Sequence, residues 1–168
     1  TMAKIYLILI VTFFLNQTLY GIEIYGKPKI IDGDSIRINN KKIRLEGIDA
    51  PEIKQQCKKP FLKISAIIGF EFNKDYSCGV IAKKKLIDKI DNSKIKCISS
   101  SKDRYKRFLA TCFKDKINLN KWMVRNGNAV AYKRYSKDYV RDEAYAKENK
   151  LGVWKGSFIM PETVSYTH

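Results

Sequence analysis

Between Lys29 and Leu45 apolar and polar positions alternate: Ile30-Ile31, then Ile36 and Ile38 around Arg37, then Ile43 and Leu45 around Arg44. Period-two alternation in short runs argues for half-buried strands. Asp32-Gly33-Asp34 and Asn39-Asn40-Lys41 are turn signals between the runs, so residues 27–48 predict a three-stranded meander. From Gly79 the period lengthens. Ala82, Leu86 and Ile90 are four apart and Val80 and Ile87 seven apart, which describes one helical face, and Lys83, Lys84 and Lys85 fill the solvated remainder. Two more strands are expected around Lys94–Ser99 and Phe108–Phe113, joined by a hairpin with its midpoint between Arg104 and Tyr105. A second helix is expected from Asn118 as N-cap, through Leu119 and Met123, to a stop at Gly127; a third runs from Ser136 to about Leu151, with Gly152 ending it. Residues 57–79 read as a loop-rich insertion.

This order predicts an α+β fold, a five-stranded OB-type β-barrel with three α-helices. At 168 residues the chain suits one domain with a single core. No linker or repeat divides it after the N-terminal segment. There, Lys4 precedes the apolar run Ile5–Leu15, followed by polar Asn16, Gln17 and Thr18. The run is shorter than the roughly 20 apolar residues a membrane span needs, and its layout is that of a secretory signal peptide over residues 1–21. Leu19 fits poorly three places before a cut after Gly21, and an uncleaved N-terminal anchor is the alternative. Either leaves residues 22–168 as an exported domain: periplasmic, on the cell surface or secreted.

Four cysteines fit that compartment. None forms a C-x-x-C pair, which argues against a zinc site. In the register of the expected hairpin, Cys97 and Cys112 lie opposite each other on neighbouring strands, close enough for a disulfide. Cys57 and Cys78 then pair, closing the insertion between them.

Charge narrows the partners. The chain carries 33 Lys+Arg against 17 Asp+Glu, a formal charge of +16. That surplus favours polyanions such as nucleic acid through phosphate neutralisation, although a composition rich in Ile, Lys and Asn produces basic proteins of other kinds too. The only histidine is His168, at the last position. This argues against His-dependent triads, nucleases with a His base and His-ligated zinc hydrolases. No G-x-x-x-x-G-K-[ST] loop is present, which removes P-loop NTPases. What remains is carboxylate, arginine and hard-metal chemistry.

Three clusters supply it: Asp32-Gly33-Asp34-Ser35 at a strand junction, Arg44-Leu45-Glu46-Gly47-Ile48-Asp49-Ala50-Pro51-Glu52, and Asp103-Arg104-Tyr105-Lys106-Arg107 at the hairpin tip. Two aspartates and a backbone carbonyl suit Ca²⁺, which prefers hard oxygen ligands. Each cluster alone is also a common turn or surface ion pair. Together and in order, IIDGDSIRI, IRLEGIDAPE, DRYKRFLA, NLNKWMVRNGNAVAYKRYS and GVWKGSF make the chain resemble the staphylococcal nuclease (thermonuclease) family from about Lys27 to Phe158. The resemblance is weakest over residues 53–79.

That resemblance implies an OB-fold domain over residues 22–168 acting as a Ca²⁺-dependent phosphodiesterase on DNA or RNA, leaving 3′-phosphate products. It implies Asp34 and Asp49 as side-chain ligands of Ca²⁺, with Ala50 contributing its carbonyl oxygen. Glu52 corresponds to the general base for the attacking water, and Arg44 and Arg107 to the groups that grip phosphate and stabilise the transition state. Tyr132 corresponds to a residue lining the nucleotide pocket, with Tyr135 nearby. Ser35 and Ala50 stand where the family often has Thr, and Lys106 where many members have Gly, so the loop carrying Arg107 differs. A non-catalytic OB module that binds nucleic acid is the main alternative, and a basic protein held on anionic lipid is a third. No protein partner is implied; the chain is expected to be a monomer.

Overall fold

A computed structural model describes residues 21–64 and 70–161, without the side chains of residues 61–71. The expected leader, residues 1–21, lies outside the described residues except for Gly21. The strands are β1 (Ile22–Gly26), β2 (Lys29–Ile30), β3 (Ser35–Ile38), β4 (Lys41–Leu45), β5 (Ile48–Asp49), β6 (Cys57–Ile64), β7 (Phe70–Tyr76), β8 (Ile95–Lys102), β9 (Phe108–Lys114), β10 (Ile117–Asn118) and β11 (Val130–Ala131). The helices are α1 (Cys78–Ile90), α2 (Leu119–Arg125) and α3 (Val140–Glu148), followed by a 3₁₀ turn over Gly152–Lys155.

The mixed α+β fold and the three helices agree with the expectation. The count of five strands does not. The main sheet runs β1-β8-β9-β4-β3-β2, with β10 added to β9, giving seven strands. The two extra strands are local. Ile24 and Gly26 of β1 are buried while Ile22, Glu23 and Tyr25 are exposed, and β10 is a two-residue pairing next to the α2 N-cap, Asn118. All pairs in this sheet are antiparallel except β4 with β9. The sheet curls. A Cβ on Gly26 at the end of β1 would lie 2.7 Å from Ile38 at the end of β3, and Asn39 Nδ2 donates to the Tyr25 carbonyl. Ile24, Ile36, Ile38, Ile43, Leu45, Ile95 and Cys97 face the enclosed core, which α1 closes with Ala82, Leu86 and Ile90 and α2 with Leu119, Met123 and Val124.

The insertion is a second departure. It forms an antiparallel hairpin, β6 with β7, with a register shift between Pro60 and Leu62. Proline is tolerated at such an irregularity in a two-stranded ribbon because no further strand needs its missing N–H. Both disulfides form as expected, Cys57 with Cys78 and Cys97 with Cys112. Cys97 and Cys112 are Cα partners across β8 and β9, and the register slips by one residue beyond Ser99, before the tip. The third helix is shorter than expected. Ser136 N–H donates to the Tyr132 carbonyl and Asp138 N–H to Ser136 Oγ, a local turn that delays the helix until after Tyr139. Among the described residues no helix is long and apolar enough to cross a membrane.

Candidate active site

The turn Asp32-Gly33-Asp34 delivers its second aspartate to the start of β3. Asp32 Oδ1 accepts from the Asp34 N–H at 3.1 Å, an Asx turn that sharpens the bend. Gly33 is required by proximity: a Cβ there would lie 2.6 Å from the Ala50 Cβ and 3.0 Å from that of Ala82 on α1. In the β3–β4 ladder Ser35 is the Cα partner of Arg44. Ile43 and Leu45 point into the core, so Arg44 emerges on the other face. Gly47, at φ +74°, turns the chain into β5, and its surface is covered by the Tyr139 ring.

Two buried carboxylates meet the Arg44 fork. Nη1 donates to Asp34 Oδ1 at 2.8 Å and Nη2 to Asp49 Oδ1 at 2.6 Å. Asp34 Oδ1 also accepts from Ser35 Oγ, and Oδ2 accepts from the Ala50 N–H at 2.9 Å. Asp34 thus ties together the β3 start, β4 and the residue after β5. Burial, then the charge of Asp34, pushes Asp49 from 3.8 up to about 7, although Arg44 pulls the other way; Glu52 adds to the rise. Burial and Asp34 likewise lift Asp32 to about 6. Burial works against the Arg44 charge, but Asp34 and Asp49 override it and hold the guanidinium firmly protonated. Negative charge here exceeds what one arginine neutralises.

That surplus bears on a metal. Among the described residues no group of three or more His, Cys, Asp or Glu side chains stands at metal-holding spacing. Two carboxylates with the Ala50 carbonyl fall below that number, yet they are hard oxygen donors of the type Ca²⁺ takes. Asp34, Asp49 and the Ala50 carbonyl offer oxygen donors alone, so the donor chemistry fits a hard divalent cation.

Glu52 is exposed on the loop after β5. Its N–H donates to Gln55 Oε1, and its carbonyl accepts from the Gln55 N–H at 2.8 Å. Gln55 is buried and its Nε2 donates to the Ile159 carbonyl. On the other side, Gly79 in the first turn of α1 packs so closely that a Cβ would fall 1.8 Å from the Glu52 carbonyl oxygen. The neighbouring Cys57–Cys78 bridge fixes the same corner.

Arg107 ends the β8–β9 turn. Its Nε donates to Asp103 Oδ2 at 2.7 Å and its N–H to Asp103 Oδ1. Lys106 sits at φ +62°, the left-handed backbone for which glycine is the easier residue. Hydrogen bonds from Arg107, working against burial, hold Asp103 below its ordinary value. Leu109 is the Cα partner of Arg44 in the parallel β4–β9 pair. Arg107 precedes it by two residues, just before β9 begins.

Tyr132 and Tyr135 follow β11, which pairs with β5 through Val130 opposite Asp49. Their ring centroids are 4.9 Å apart. The Tyr132 N–H donates to the Gly47 carbonyl, bringing the pair to the edge of the carboxylate cluster. Thus Asp34, Arg44, Asp49 and Ala50 are in direct contact, Glu52 and the tyrosines flank them, and Arg107 is held by Asp103 at the end of the β8–β9 turn.

Three supporting residues escaped the sequence reading. Asn120 is fully buried; its Nδ2 donates to the Glu46 and Ala110 carbonyls and its Oδ1 accepts from the Cys112 N–H. It pins the end of β4 to β9. Glu143 accepts from the Ala131 N–H and from Lys133 and Lys147. Burial would raise it, but the hydrogen bonds from the two lysines hold it below its ordinary value. It anchors β11, hence β5 and Asp49. Gln55 is the third. Only the Glu143–Lys147 spacing of four was a readable signal.

The sequence matches the Staphylococcal nuclease homologue family over residues 42–156, more than half of the chain. The chain belongs to this family. Succinoglycan biosynthesis protein ExoI of Rhizobium meliloti is 33% identical over 135 residues, covering 79% of this chain and 65% of that protein. An uncharacterized endonuclease of Haemophilus influenzae is 33% identical over 133 residues, covering 75% and 63%. One of Escherichia coli O157:H7 is 27% identical over 160 residues, covering 90% and 91%. The chain therefore spans just under two thirds of the first two relatives. The family match includes Arg44, Asp49, Glu52 and Arg107 and begins after Asp34.

Proposed function

We propose that the chain is an exported, Ca²⁺-dependent nuclease that hydrolyses phosphodiester bonds of DNA or RNA and leaves 3′-phosphate ends. The observation that carries this reading is the Arg44 fork between buried Asp34 and Asp49, in a family with relatives named endonucleases. Asp34, Asp49 and the Ala50 carbonyl would hold the metal. When bound, Ca²⁺ supplies positive charge beside the scissile phosphate and lowers the cost of bringing an anionic nucleophile to an anionic ester.

The chain's own groups do the rest. Arg44 spends two N–H groups on Asp34 and Asp49 and keeps three of the five a guanidinium carries. Those three and the Arg107 fork bind the phosphate oxygens and stabilise the charge that builds on them. Glu52, exposed beside the cluster, orients the attacking water and accepts its proton. A carboxylate is a weak proton acceptor, so activity rises into the alkaline range as hydroxide becomes available. The half-buried Tyr132 and the exposed Tyr135 receive the base. The two disulfides fit an oxidising compartment, in keeping with a leader over residues 1–21 and a nuclease domain over 22–168.

The test is cleavage of plasmid, denatured DNA and RNA with Ca²⁺ or with a Ca²⁺ chelator, followed by end-group analysis. Ca²⁺-dependent cutting with 3′-phosphate ends is expected. Salt-sensitive binding with no cleavage under either condition would make the chain a binding module instead.

A further inference from the structure

A groove of about 330 Å³ opens between α1, the loop after α2, the 3₁₀ turn and the base of the β6–β7 hairpin. Lys59, Lys85 and Lys155 line it, with the rings of Tyr76 and Trp122. Among the described residues no Asp or Glu lines it, although the chain has 17 of them. The three lysines are exposed, and none forms an ion pair among the described residues. Lys133, Lys147, Lys84 and Lys96, by contrast, each reach a carboxylate. Lys59 lies over the Tyr76 ring at 5.5 Å, and Lys89 lies over that of Trp122 at 5.2 Å, so cationic and aromatic surfaces alternate.

The floor is rigid backbone. Gly127 at φ +67° and Gly152 at φ +52° press together so tightly that a Cβ on either would strike the other segment, and the Val153 N–H donates to the Gly127 carbonyl. The groove also touches the corner that holds Glu52. Cys78 lines it, while the next residue, Gly79, abuts the Glu52 carbonyl.

We propose that this groove is a second binding site for single-stranded nucleic acid, holding substrate beyond the scissile phosphate; it rests on the nuclease reading. Three lysines without an ion pair among the described residues neutralise backbone phosphates, and the half-buried Tyr76 and Trp122 rings add aromatic surface that unpaired bases contact. Charge complementarity selects the occupant. The aromatic walls favour a strand over a duplex, whose bases are stacked inside.

The test uses the full chain, with Lys59, Lys85 and Lys155 changed together to Gln, beside a charge-matched control, K27Q/K94Q/K116Q, whose lysines lie outside the groove. Binding of a labelled 20-nucleotide single strand is followed by anisotropy in Ca²⁺ chelator across a salt series. Cleavage with Ca²⁺ is measured on the same strand and on a dinucleotide. The groove variant should bind the long strand about tenfold more weakly and lose about 2 from the log–log salt slope, at roughly 0.7 per phosphate contact. The control should change far less, and the dinucleotide should be cut at the wild-type rate by both. Equal losses in the two variants, or no change in the groove variant, overturn the proposal. So does groove-dependent binding to phosphatidylglycerol vesicles without binding to the strand. Groove-dependent strand binding in a chain that cuts nothing would leave the groove standing and remove the nuclease reading.

Discussion

At the scale of single residues, Arg44 and Arg107 have different settings for one proposed task. Arg44 is fixed by two buried carboxylates, whereas Arg107 is held by Asp103 on a turn. Replacing either with Lys keeps the charge and loses the planar fork. Each change should lower kcat by about 100-fold or more on DNA, by analogy with removal of one transition-state donor. Arg44→Lys should also destabilise the fold, because Asp34 and Asp49 lose a paired donor; Arg107→Lys should leave thermal unfolding nearly unchanged. Parallel rate and melting measurements separate the two. Asp49 makes a second prediction. Its folded pKa of about 7 exceeds its ordinary 3.8, so between these values the folded state holds more protons than the unfolded chain. Its contribution is therefore fully present below pH 4 and lost as pH rises through 7; Asp32 does the same through about 6. Ca²⁺ should compensate the ionised site, raising Tm more at pH 8 than at pH 5. An equal rise at both would contradict the assignment of Asp34 and Asp49 as its ligands.

At the scale of elements, the site is held by contacts between distant segments. Asn120→Ala would remove the side-chain partner of the buried Cys112 N–H and of the Glu46 carbonyl, and should cost about 2 kcal/mol in denaturant unfolding. Gly79→Ala would drive a methyl group into the Glu52 carbonyl. It should lower kcat more than strand affinity if Glu52 handles the water, and a loss confined to affinity would contradict that role. Such contacts explain how much the sequence revealed. The turn at Asp32-Gly33-Asp34, the alternation placing Arg44 outward and the opposition of Cys97 and Cys112 depend on neighbours in sequence or on one hairpin, so pattern alone exposed them. Gln55 reaches Ile159 across 104 positions and Asn120 reaches Glu46 across 74, both through backbone atoms that no side-chain pattern encodes. The β6–β7 hairpin was hidden because Pro60 and Gly69 are breakers in ordinary strands, and here a register shift absorbs the proline. The roles of the site residues came from ordered motifs shared with a family; periodicity gave only their faces.

At the scale of the whole molecule, a net charge of +16 coexists with a centre where carboxylates outnumber their arginine. The two arrangements complement each other. In the proposed function the basic surface gathers a polyanion, and a divalent cation offsets the charge of the buried carboxylates. Strand affinity should fall steeply with salt, whereas the cleavage rate of bound strand should depend on Ca²⁺ far more than on monovalent salt. The central claim is that this centre cuts phosphodiesters with Glu52 serving the water. Its most direct measurement is single-turnover cleavage of a bound single strand at alkaline pH with saturating Ca²⁺, by the wild type and Glu52→Gln. Glu52 is exposed, so the substitution should leave folding and strand affinity intact. Rapid cutting by the wild type and a loss of about 100-fold or more in the variant, the lower end of the range for a positioned proton acceptor, are expected. Equal rates in the two proteins, or no cutting by either, would contradict it.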